Sequence, residues 1–484
     1  MSTAEPSADR GQASSYAAAD EGSLLHHGAL VSFDEPVRHD DVLLAMERAA
    51  RAHPFLRMRP ARLPLAAEVL GWSIDPAFRT SRHVRAVELD APADDRTIAH
   101  VAGTLWARPL AVDRPPWHVD LLTDRHGLGV ALLLKAHPAL LRRGLAPLVE
   151  VLLGEGAEAA PPPPLAQPAV TERRRGALVP SLLHAVAALA ERGAQGSRAL
   201  ATEVASLLRP SVALARTVEV GRVLESTGTL VSSPAPETPW NGALGNERAV
   251  GSLSLPLDGL RGIAEGFGGT WRDAWVTVVA DALGRVLRAR GRPTSGLTLL
   301  AFVPEQHDST ARVAGEERPA APGAGPALIA LPVGELDPGA RHALVRASAR
   351  EPLSAARGIG LARMAALAQR LPEPLQSMLG SLAFQAANVV VTSERAPAEP
   401  LRVGGGRITS LVPLAGLPWH VGLALAALDW HGDELAVGVT VDPSLLPSAG
   451  TVVEALHAAY AELATAAGVP PVPARERGRA RARR

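Results

Sequence analysis

Cysteine is absent from the 484-residue sequence, and lysine occurs once, at Lys135. Without cysteine there are no disulfides, no thiolate nucleophile and no zinc site built on cysteine. Excess charge of either sign is also absent, because 49 basic residues balance 49 acidic ones. A net charge of zero gives no electrostatic attraction to a nucleic acid, so we expect no nucleic-acid partner.

Long apolar runs are missing as well. No stretch approaches the roughly 18 residues that a membrane-spanning helix needs, and the polar start "MSTAEPSADRGQASS" lacks the hydrophobic core of a signal peptide. These absences predict a cytoplasmic protein. The end "ARERGRARARR" is typical of a solvated, disordered tail, and the alternative is attraction to anionic lipid headgroups, which would make the protein peripheral to a membrane.

The composition is that of a packed globular protein, with 47% hydrophobic and 20% charged residues. Its length exceeds that at which a single core usually keeps growing, so we predict two subdomains. A break with four consecutive prolines separates them. The predicted segments are a disordered N-terminus (1–20), an N-terminal subdomain (21–153), a proline-rich linker with a helical connector (154–240), a C-terminal subdomain (241–468) and the arginine-rich tail (469–484).

Apolar periodicity predicts strands and helices in the first subdomain. A β-type run at residues 29–33 precedes a helical pattern with Val42 and Met46 on its apolar face, and a second helix lies within "DDRTIAHVAGTLWARPLA". The segment "WHVDLLTDRHGLGVALLLKAHPA" is typical of a hairpin with "TDRHG" as its turn. His137 then falls at the end of the second hairpin strand, before a helix that we expect to start at Pro147.

The second half shows the same mixture. A strand over residues 249–255 and a Gly-rich turn precede a long helix near 271–290. Further strands are predicted at 297–303, 327–333, 388–392, 421–428 and 434–440, with a final helix at 448–467. Both halves mix strands with helices, so the predicted fold class is α+β.

Six stretches carry a resemblance to a known family. They are "RHVRAVELDAP", "ARPLAVDRPPWHVDLL", "TPWNGALGNERAV" with the following "LPLDGLRGIAEGFGGTWRDAW", "LPVGELDP", "NVVVTSERAPAEPLRVGGGRI" and "LAVGVTVDPSLLP". In this order the chain resembles the bacterial wax ester synthase/diacylglycerol acyltransferase family, relatives of chloramphenicol acetyltransferase. The resemblance implies two chloramphenicol-acetyltransferase-like subdomains that enclose a central cleft or tunnel.

The resemblance also implies a reaction. Members of that family transfer an acyl group from acyl-CoA to a long-chain alcohol or diacylglycerol, without a further cofactor, and carry the signature HHxxxDG. Its second histidine acts as general base on the acceptor hydroxyl. We therefore expect acyl-CoA and a hydrophobic alcohol or diacylglycerol as partners, and a membrane or lipid-droplet surface as a further one.

The stretch "KAHPALLRRG" corresponds to that signature but departs from it. In direct register, His137 takes the first histidine position, Pro138 the base, Arg142 the aspartate and Arg143 the glycine. Proline has no proton-accepting side chain and no backbone N–H, so it cannot act as the base.

A shift by one residue makes His137 the base, and the acidic position then falls on Leu141. Under either register the acid of the signature is missing. His137 is the predicted catalytic residue, and the alternative is a buried histidine that is hydrogen-bonded at a strand end.

Three further residues are candidates for substrate binding. Trp117 has the alternative role of a core aromatic. Asp273, which the resemblance places in an Asn-Asp pair with Arg272 at its first position, has the alternative role of capping a helix. Ser393 lies in "TSERAP", which corresponds to the family's Ser-Asn-Val-Pro-Gly-Pro loop. The pair in "HHGAL" lacks a following acid and is not predicted to belong to the site.

Two functions follow. One is an O-acyltransferase, of the wax ester or triacylglycerol synthesis type, with His137 as a displaced base. The other is a catalytically inactive homologue, a pseudoenzyme that binds acyl groups, lipids or a protein partner on the same scaffold. Matches to the family fall on residues that build a fold, and departures fall on residues that carry out chemistry.

Overall fold

Strands and helices alternate along most of the chain. The computed structural model describes residues 26–63, 66–90, 92–111, 113–140, 145–154, 235–304, 327–351, 384–395, 397, 401–430 and 433–470. The strands are β1 (His27–Arg38), β2 (Met58–Leu63), β3 (Ala66–Ile74), β4 (Val84–Glu88), β5 (Trp117–Thr123), β6 (Leu128–Ala136), β7 (Ala249–Pro256), β8 (Leu299–Val303), β9 (Ala327–Leu331), β10 (Val389–Arg395), β11 (Arg402–Val403), β12 (Gly406–Leu414), β13 (Leu423–Trp430) and β14 (Glu434–Val441). The helices are α1 (His39–Ala52), α2 (Asp95–Trp106), α3 (Leu145–Leu153), α4 (Leu257–Phe267), α5 (Trp271–Ala289), α6 (Pro338–Arg350) and α7 (Ala449–Ala466).

The first sheet has the strand order β11-β12-β1-β6-β5-β4. Its neighbours are antiparallel except β4 and β5, which are parallel and are connected through α2. Strand β1 lies between β6 on one side and β12 on the other. Two strands from the second half of the sequence therefore complete the sheet of the first half.

The second sheet has the order β7-β14-β13-β10-β8-β9. Strand β10 is parallel to both β8 and β13, and the outer pairs are antiparallel. The connection from β10 to β13 passes through β11 and β12, so the chain leaves the second sheet, adds two strands to the first and returns. The separate two-stranded sheet contains β2 and β3.

Helices cover both sheets. Helices α1 and α3 pack on one face of the first sheet, and the buried residues of α2 cover its other face and contact Val250 of β7. Helices α4, α5 and α7 cover one face of the second sheet. Residues Leu428, Trp430 and Ala436 of the second sheet are buried in the same cluster as the core of the first. The two sheets thus share apolar contacts, which stabilise their relative placement.

Local sequence signals explain several helix starts. Asp94 accepts a 2.7 Å hydrogen bond from the Thr97 backbone N–H and caps α2. Asp337 caps α6 in the same way, and Pro338 occupies its first turn. These caps satisfy backbone groups that the helix itself leaves without partners.

The α+β prediction is confirmed, as is the arrangement in two subdomains with a cleft between them. The hairpin of β5 and β6, the strands of the second sheet and the final helix are observed close to their predicted positions. Helix α3 starts at Leu145 rather than Pro147. The sequence predicts an extended segment beginning near Phe55, and strands β2 and β3 follow there, whereas strands β11 and β12 and helix α6 are not predicted.

The boundaries predicted for the five segments stay a prediction. The structure shows one transfer of strands between the two subdomains. Strands β11 and β12 belong to residues predicted for the C-terminal subdomain but pair within the first sheet. The predicted disordered N-terminus, most of the linker and connector, and most of the arginine-rich tail lie outside the described residues.

Gly438→Ala is expected to lower the free energy of unfolding by about 1–3 kcal/mol, the usual cost of overpacking. A Cβ atom at Gly438 of β14 would lie 1.8 Å from the carbonyl oxygen of Pro413 in β12, so one backbone must move. Urea denaturation of both proteins measures the change. Gly450→Ala is the matched control, because the nearest atom there is the flexible Ser448 Oγ at 3.2 Å. Equal destabilisation by both substitutions would contradict the close approach of β12 to β14.

Candidate active site

A tight corner follows strand β6 and carries the predicted catalytic histidine. His137 comes directly after Ala136, the last residue of β6, and its backbone N–H donates a 3.0 Å hydrogen bond to the Pro116 carbonyl. The Leu140 N–H donates to the His137 carbonyl at 2.9 Å and closes the 3₁₀ turn Pro138–Leu140. The position at the strand end is therefore confirmed.

The imidazole of His137 is buried, with 4% of the residue exposed. Burial, with a smaller contribution from the charge of His27, lowers the pKa of His137 to about 3 from its ordinary value of 6.5. The ring is therefore neutral at physiological pH. A neutral imidazole has a free lone pair for a proton, but so low a pKa makes it a weak base.

His27 lies beside His137, although sequence reasoning excluded it from the site. It is the first residue of β1 and is directly opposite Ala136 of β6. Burial lowers the pKa of His27 to about 4. A Cβ atom on the next residue, Gly28, would lie 1.8 Å from the Leu134 carbonyl oxygen, so glycine permits the close approach of β1 to β6 here. The two histidines meet through strand pairing, which their separation in sequence does not reveal.

The adjacent His26 has a structural role. Its Nε2 donates a 2.8 Å hydrogen bond to the Trp106 carbonyl, and its ring packs edge-on against the Trp106 indole. Burial lowers the pKa of His26 well below the ordinary value, with a further contribution from the charge of Lys135. The motif "HHGAL" thus contributes one histidine to the core and one to the surroundings of His137.

Trp117, predicted to bind substrate, is a core residue. It is 1% exposed, its indole N–H donates a 2.8 Å hydrogen bond to the Leu56 carbonyl, and His83 stacks on its ring at 4.6 Å. Both its polar atom and its ring have protein partners, and it also lines a small cavity beside β6, so its role in substrate binding stays a prediction. Trp117 lies next to the His137 corner, because strand pairing places it directly opposite Ala136.

Asp273 lies at the start of α5 and caps that helix, while its role in substrate binding stays a prediction. Its Oδ2 accepts hydrogen bonds from the Thr270 N–H at 2.7 Å and from Thr270 Oγ1 at 3.0 Å, and Thr270 Oγ1 accepts one from the Asp273 N–H at 3.3 Å. This reciprocal pair is a capping box at the start of α5. The Asp273 carboxylate is thus hydrogen-bonded at the start of the helix.

Ser393 lies within β10, opposite Ala427 of β13, and is 8% exposed. Its neighbour Glu394 contacts the other subdomain: Oε2 accepts a 2.6 Å hydrogen bond from the Leu145 N–H. Leu145 is the first residue of α3, the helix after the His137 corner, where a carboxylate interacts favourably with the helix dipole. The sequence gives no sign of this bond, because nothing in the spacing connects residues 394 and 145.

The signature positions at Leu141, Arg142 and Arg143 lie outside the described residues. Arg272, which stands where the resemblance expects asparagine, lies over the Trp271 ring with its guanidinium carbon 4.6 Å from the ring centre. Pro397, the last residue of "TSERAP", is described and buried.

A cleft of about 1100 Å³ lies between the two halves. Helix α2 and the residues after it form one wall, and β7 with the start of α7 forms the other. His137 is not among the described residues that line it. Over the same described ranges, no three histidine, aspartate or glutamate side chains are grouped to hold a metal ion. No helix in that part of the chain is long and apolar enough to cross a bilayer.

Two family models match the sequence. The wax ester synthase/diacylglycerol acyltransferase catalytic domain matches residues 12–275, and the WS/DGAT C-terminal domain matches residues 324–464. A Mycobacterium tuberculosis protein named as a diacylglycerol O-acyltransferase is 28% identical over 436 residues, which are 87% of this chain and 81% of that protein. A similarly named Mycobacterium bovis protein is 25% identical over 444 residues, 90% of each chain.

Solved structures share the fold. The wax ester synthase/diacylglycerol acyltransferase from Marinobacter aquaeolei VT8 superposes with a TM-score of 0.59 at 20% identity, covering 93% of this chain and 96% of that one. The first condensation domain of the calcium-dependent antibiotic synthetase gives a TM-score of 0.54 at 17% identity, covering 97% and 98%. At these identities the likeness concerns the fold alone.

His137→Gln is expected to reduce the loss of stability in acid. The folded-state pKa of about 3 is below the ordinary value of 6.5, so between these pH values the unfolded chain binds a proton that the folded chain does not. The free energy of unfolding therefore falls as the pH drops below 6.5, by up to about 1.4 kcal/mol per pH unit for this residue. Urea denaturation between about pH 7 and about pH 4.5 should show a smaller fall in the variant.

His126→Gln is the matched control for this prediction, because His126 is exposed in the turn between β5 and β6. It should retain the wild-type dependence on pH. An unchanged dependence in His137→Gln as well would mean that the His137 imidazole is not buried in its neutral form.

Proposed function

Because the chain belongs to the wax ester synthase/diacylglycerol acyltransferase family, we propose that it transfers the acyl group of a long-chain acyl-CoA to a hydrophobic hydroxyl acceptor, slowly and with His137 as its base. The acceptor is a long-chain alcohol or a diacylglycerol. The observation that carries the proposal is the position of His137: a neutral imidazole at the end of β6, where the family signature begins.

The proposed reaction forms one ester bond and breaks one thioester bond. The acceptor oxygen attacks the thioester carbonyl carbon while His137 takes the hydroxyl proton. The tetrahedral intermediate then collapses, the carbon–sulfur bond breaks, and the imidazolium returns the proton to the CoA thiolate. The products are the ester and free CoA.

A slow rate follows from the residues at the corner. Pro138 removes the second histidine of the signature. A pKa of about 3 makes imidazolium formation unfavourable at neutral pH, since a general base works best with a pKa near the operating pH. General-base catalysis contributes roughly 10²–10⁴-fold in enzymes, and we expect most of that factor to be lost.

A second candidate function is binding without turnover. Two observations at the corner favour it: proline follows His137 directly, and only 4% of His137 is exposed. A homologue of this kind would hold acyl-CoA, a lipid or a protein partner on the retained scaffold.

Purified protein with labelled palmitoyl-CoA and either hexadecanol or dioleoylglycerol distinguishes the two functions. For a slow acyltransferase we expect labelled ester, and His137→Ala should reduce its rate by less than the roughly 100-fold lower limit of ordinary general-base catalysis, because the low pKa already removes most of that factor. Because His137 remains deprotonated down to about pH 3, the wild-type rate should not fall between about pH 7 and about pH 5. His126→Ala, an exposed histidine, is the control and should leave the rate unchanged.

Other outcomes assign the function differently. Saturable palmitoyl-CoA binding without any ester supports binding without turnover. Ester formation that His137→Ala does not reduce would exclude His137 as the base. Absence of both binding and product contradicts the two functions together.

For the arginine-rich end, residues 469–484, contact with a membrane or lipid-droplet surface is the alternative to a solvated, disordered tail, and both stay predictions. Clustered arginines attract anionic headgroups, each by about 1 kcal/mol near the surface. The full chain should sediment with phosphatidylserine vesicles, whereas the chain without residues 471–484 should remain in the supernatant. Phosphatidylcholine vesicles, which carry no net charge, serve as the control. Equal sedimentation of the full and shortened chains would show that the tail does not anchor the protein.

A further inference from the structure

A small cavity on the first sheet is surrounded by cations. It has a volume of about 180 Å³ and lies where the end of α2 meets strands β4, β5 and β6. Five of the residues that line it carry a permanent or usual positive charge: Arg82, Arg85, Arg108, Arg114 and Lys135. We call this cavity the basic pocket. It is unusual in a chain whose overall net charge is zero.

Strand pairing brings the floor of the basic pocket together. His118 of β5 is directly opposite Lys135 of β6, and Arg85 of β4 is paired with Asp120 of β5. Asp120 is 0% exposed, and its Oδ1 accepts hydrogen bonds from Arg85 Nε at 2.9 Å and from His118 Nε2 at 3.1 Å. This carboxylate fixes Arg85 in place and offsets one of the five charges.

Lys135 is the most buried of the cations, with 2% exposed. Its Nζ donates hydrogen bonds to the carbonyls of Leu105 and Arg108, at 2.8 Å and 2.9 Å. These carbonyls belong to the last turn of α2 and the residues after it, which form the negative end of the helix dipole. The ammonium therefore neutralises the one part of the pocket wall that would otherwise repel an anion.

The outer wall retains uncompensated charge. Arg114 donates to Asp113 at 3.1 Å, so that pair is neutral overall. Arg82 and Arg108 are exposed, and within the described ranges no carboxylate lies at ion-pair distance from either. In the described part of the chain, the guanidinium groups of Arg82 and Arg108 therefore line the pocket without a carboxylate partner, together with the Lys135 ammonium and the Arg85 guanidinium.

We propose that the basic pocket binds a phosphate group of a ligand. Guanidinium groups bind phosphate oxygens through paired, charge-assisted hydrogen bonds, and a buried ammonium adds a point charge at the base. The volume accommodates one or two phosphate groups but no large aromatic ring. Arg108 and Pro109 also line the 1100 Å³ cleft, so a ligand held by its phosphate extends from the pocket into the space between the two halves.

Two sources supply this chemistry: the phosphates of CoA and the headgroup of an anionic phospholipid. The CoA source rests on the proposed function, whereas the phosphate site itself does not. Isothermal titration of the full chain with inorganic pyrophosphate therefore tests the site alone. His137→Ala should bind pyrophosphate as the wild type does, so that a failure of the proposed catalysis leaves this test intact.

The double variant Arg82→Gln/Arg108→Gln is expected to weaken pyrophosphate binding about 10-fold or more, since each substitution removes a charge and its charge-assisted hydrogen bonds to phosphate oxygens. Both side chains are exposed, so the fold should be retained, which thermal unfolding verifies. Arg292→Gln is the matched control, because Arg292 is also exposed and lies outside both cavities. Equal affinity of the double variant, the control and the wild type would overturn the proposal, as would absence of pyrophosphate binding.

Two further titrations identify the source. A comparable loss of affinity for CoA in the double variant assigns the pocket to CoA phosphates. A loss of binding to phosphatidic-acid vesicles, with phosphatidylcholine vesicles as control, assigns it to a lipid headgroup. If the double variant binds CoA and both vesicles as the wild type does, the pocket contributes to neither ligand and the proposal fails.

Discussion

The pairing of β12 with β1 is the constraint on which the rest of the structure depends. Strand β12 comes from the second half of the chain, yet it pairs with β1 over Gly28–Phe33 in the centre of the first sheet. At its far end it lies so close to β14 that only glycine fits at residue 438. The first sheet is therefore completed by strands from the second half of the chain, and the two halves are joined by backbone hydrogen bonds as well as by side-chain packing.

The candidate active site inherits its properties from that constraint. Strand β1 is held between β12 and β6, so the start of β1 and the end of β6 meet at the same edge, and His27 comes to lie beside His137. The same packing buries the imidazole of His137 and lowers its pKa to about 3. The packing that holds His137 in place thus also makes it a weak base, because burial disfavours the protonated imidazole. Glu394 adds a second tie between the halves, at the first residue of the helix that follows.

Buried histidines and partly exposed arginines lie in different parts of the first sheet. Near His137 the titratable groups are kept neutral by burial, as the lowered pKa values of His26, His27 and His137 show. On the α2-facing side of the same sheet, arginines keep their charge because they are partly exposed and because Asp120 is buried with one of them. Desolvation disfavours the charged form of a buried group, whereas a buried opposite charge favours it.

Sequence alone determined the elements whose signals are local. Alternation and helical period gave the β5–β6 hairpin and the final helix, because each depends on which residues of one short segment face the core. The spacing of Thr270 and Asp273 already contained a capping box, which the structure shows at the start of α5. Tertiary structure alone decided what involves residues distant in sequence: the transfer of β12 to the first sheet, the meeting of His27 with His137, and the gathering of Lys135 with the arginines. Those contacts depend on strand register and chain crossing, which no pattern within a single segment specifies.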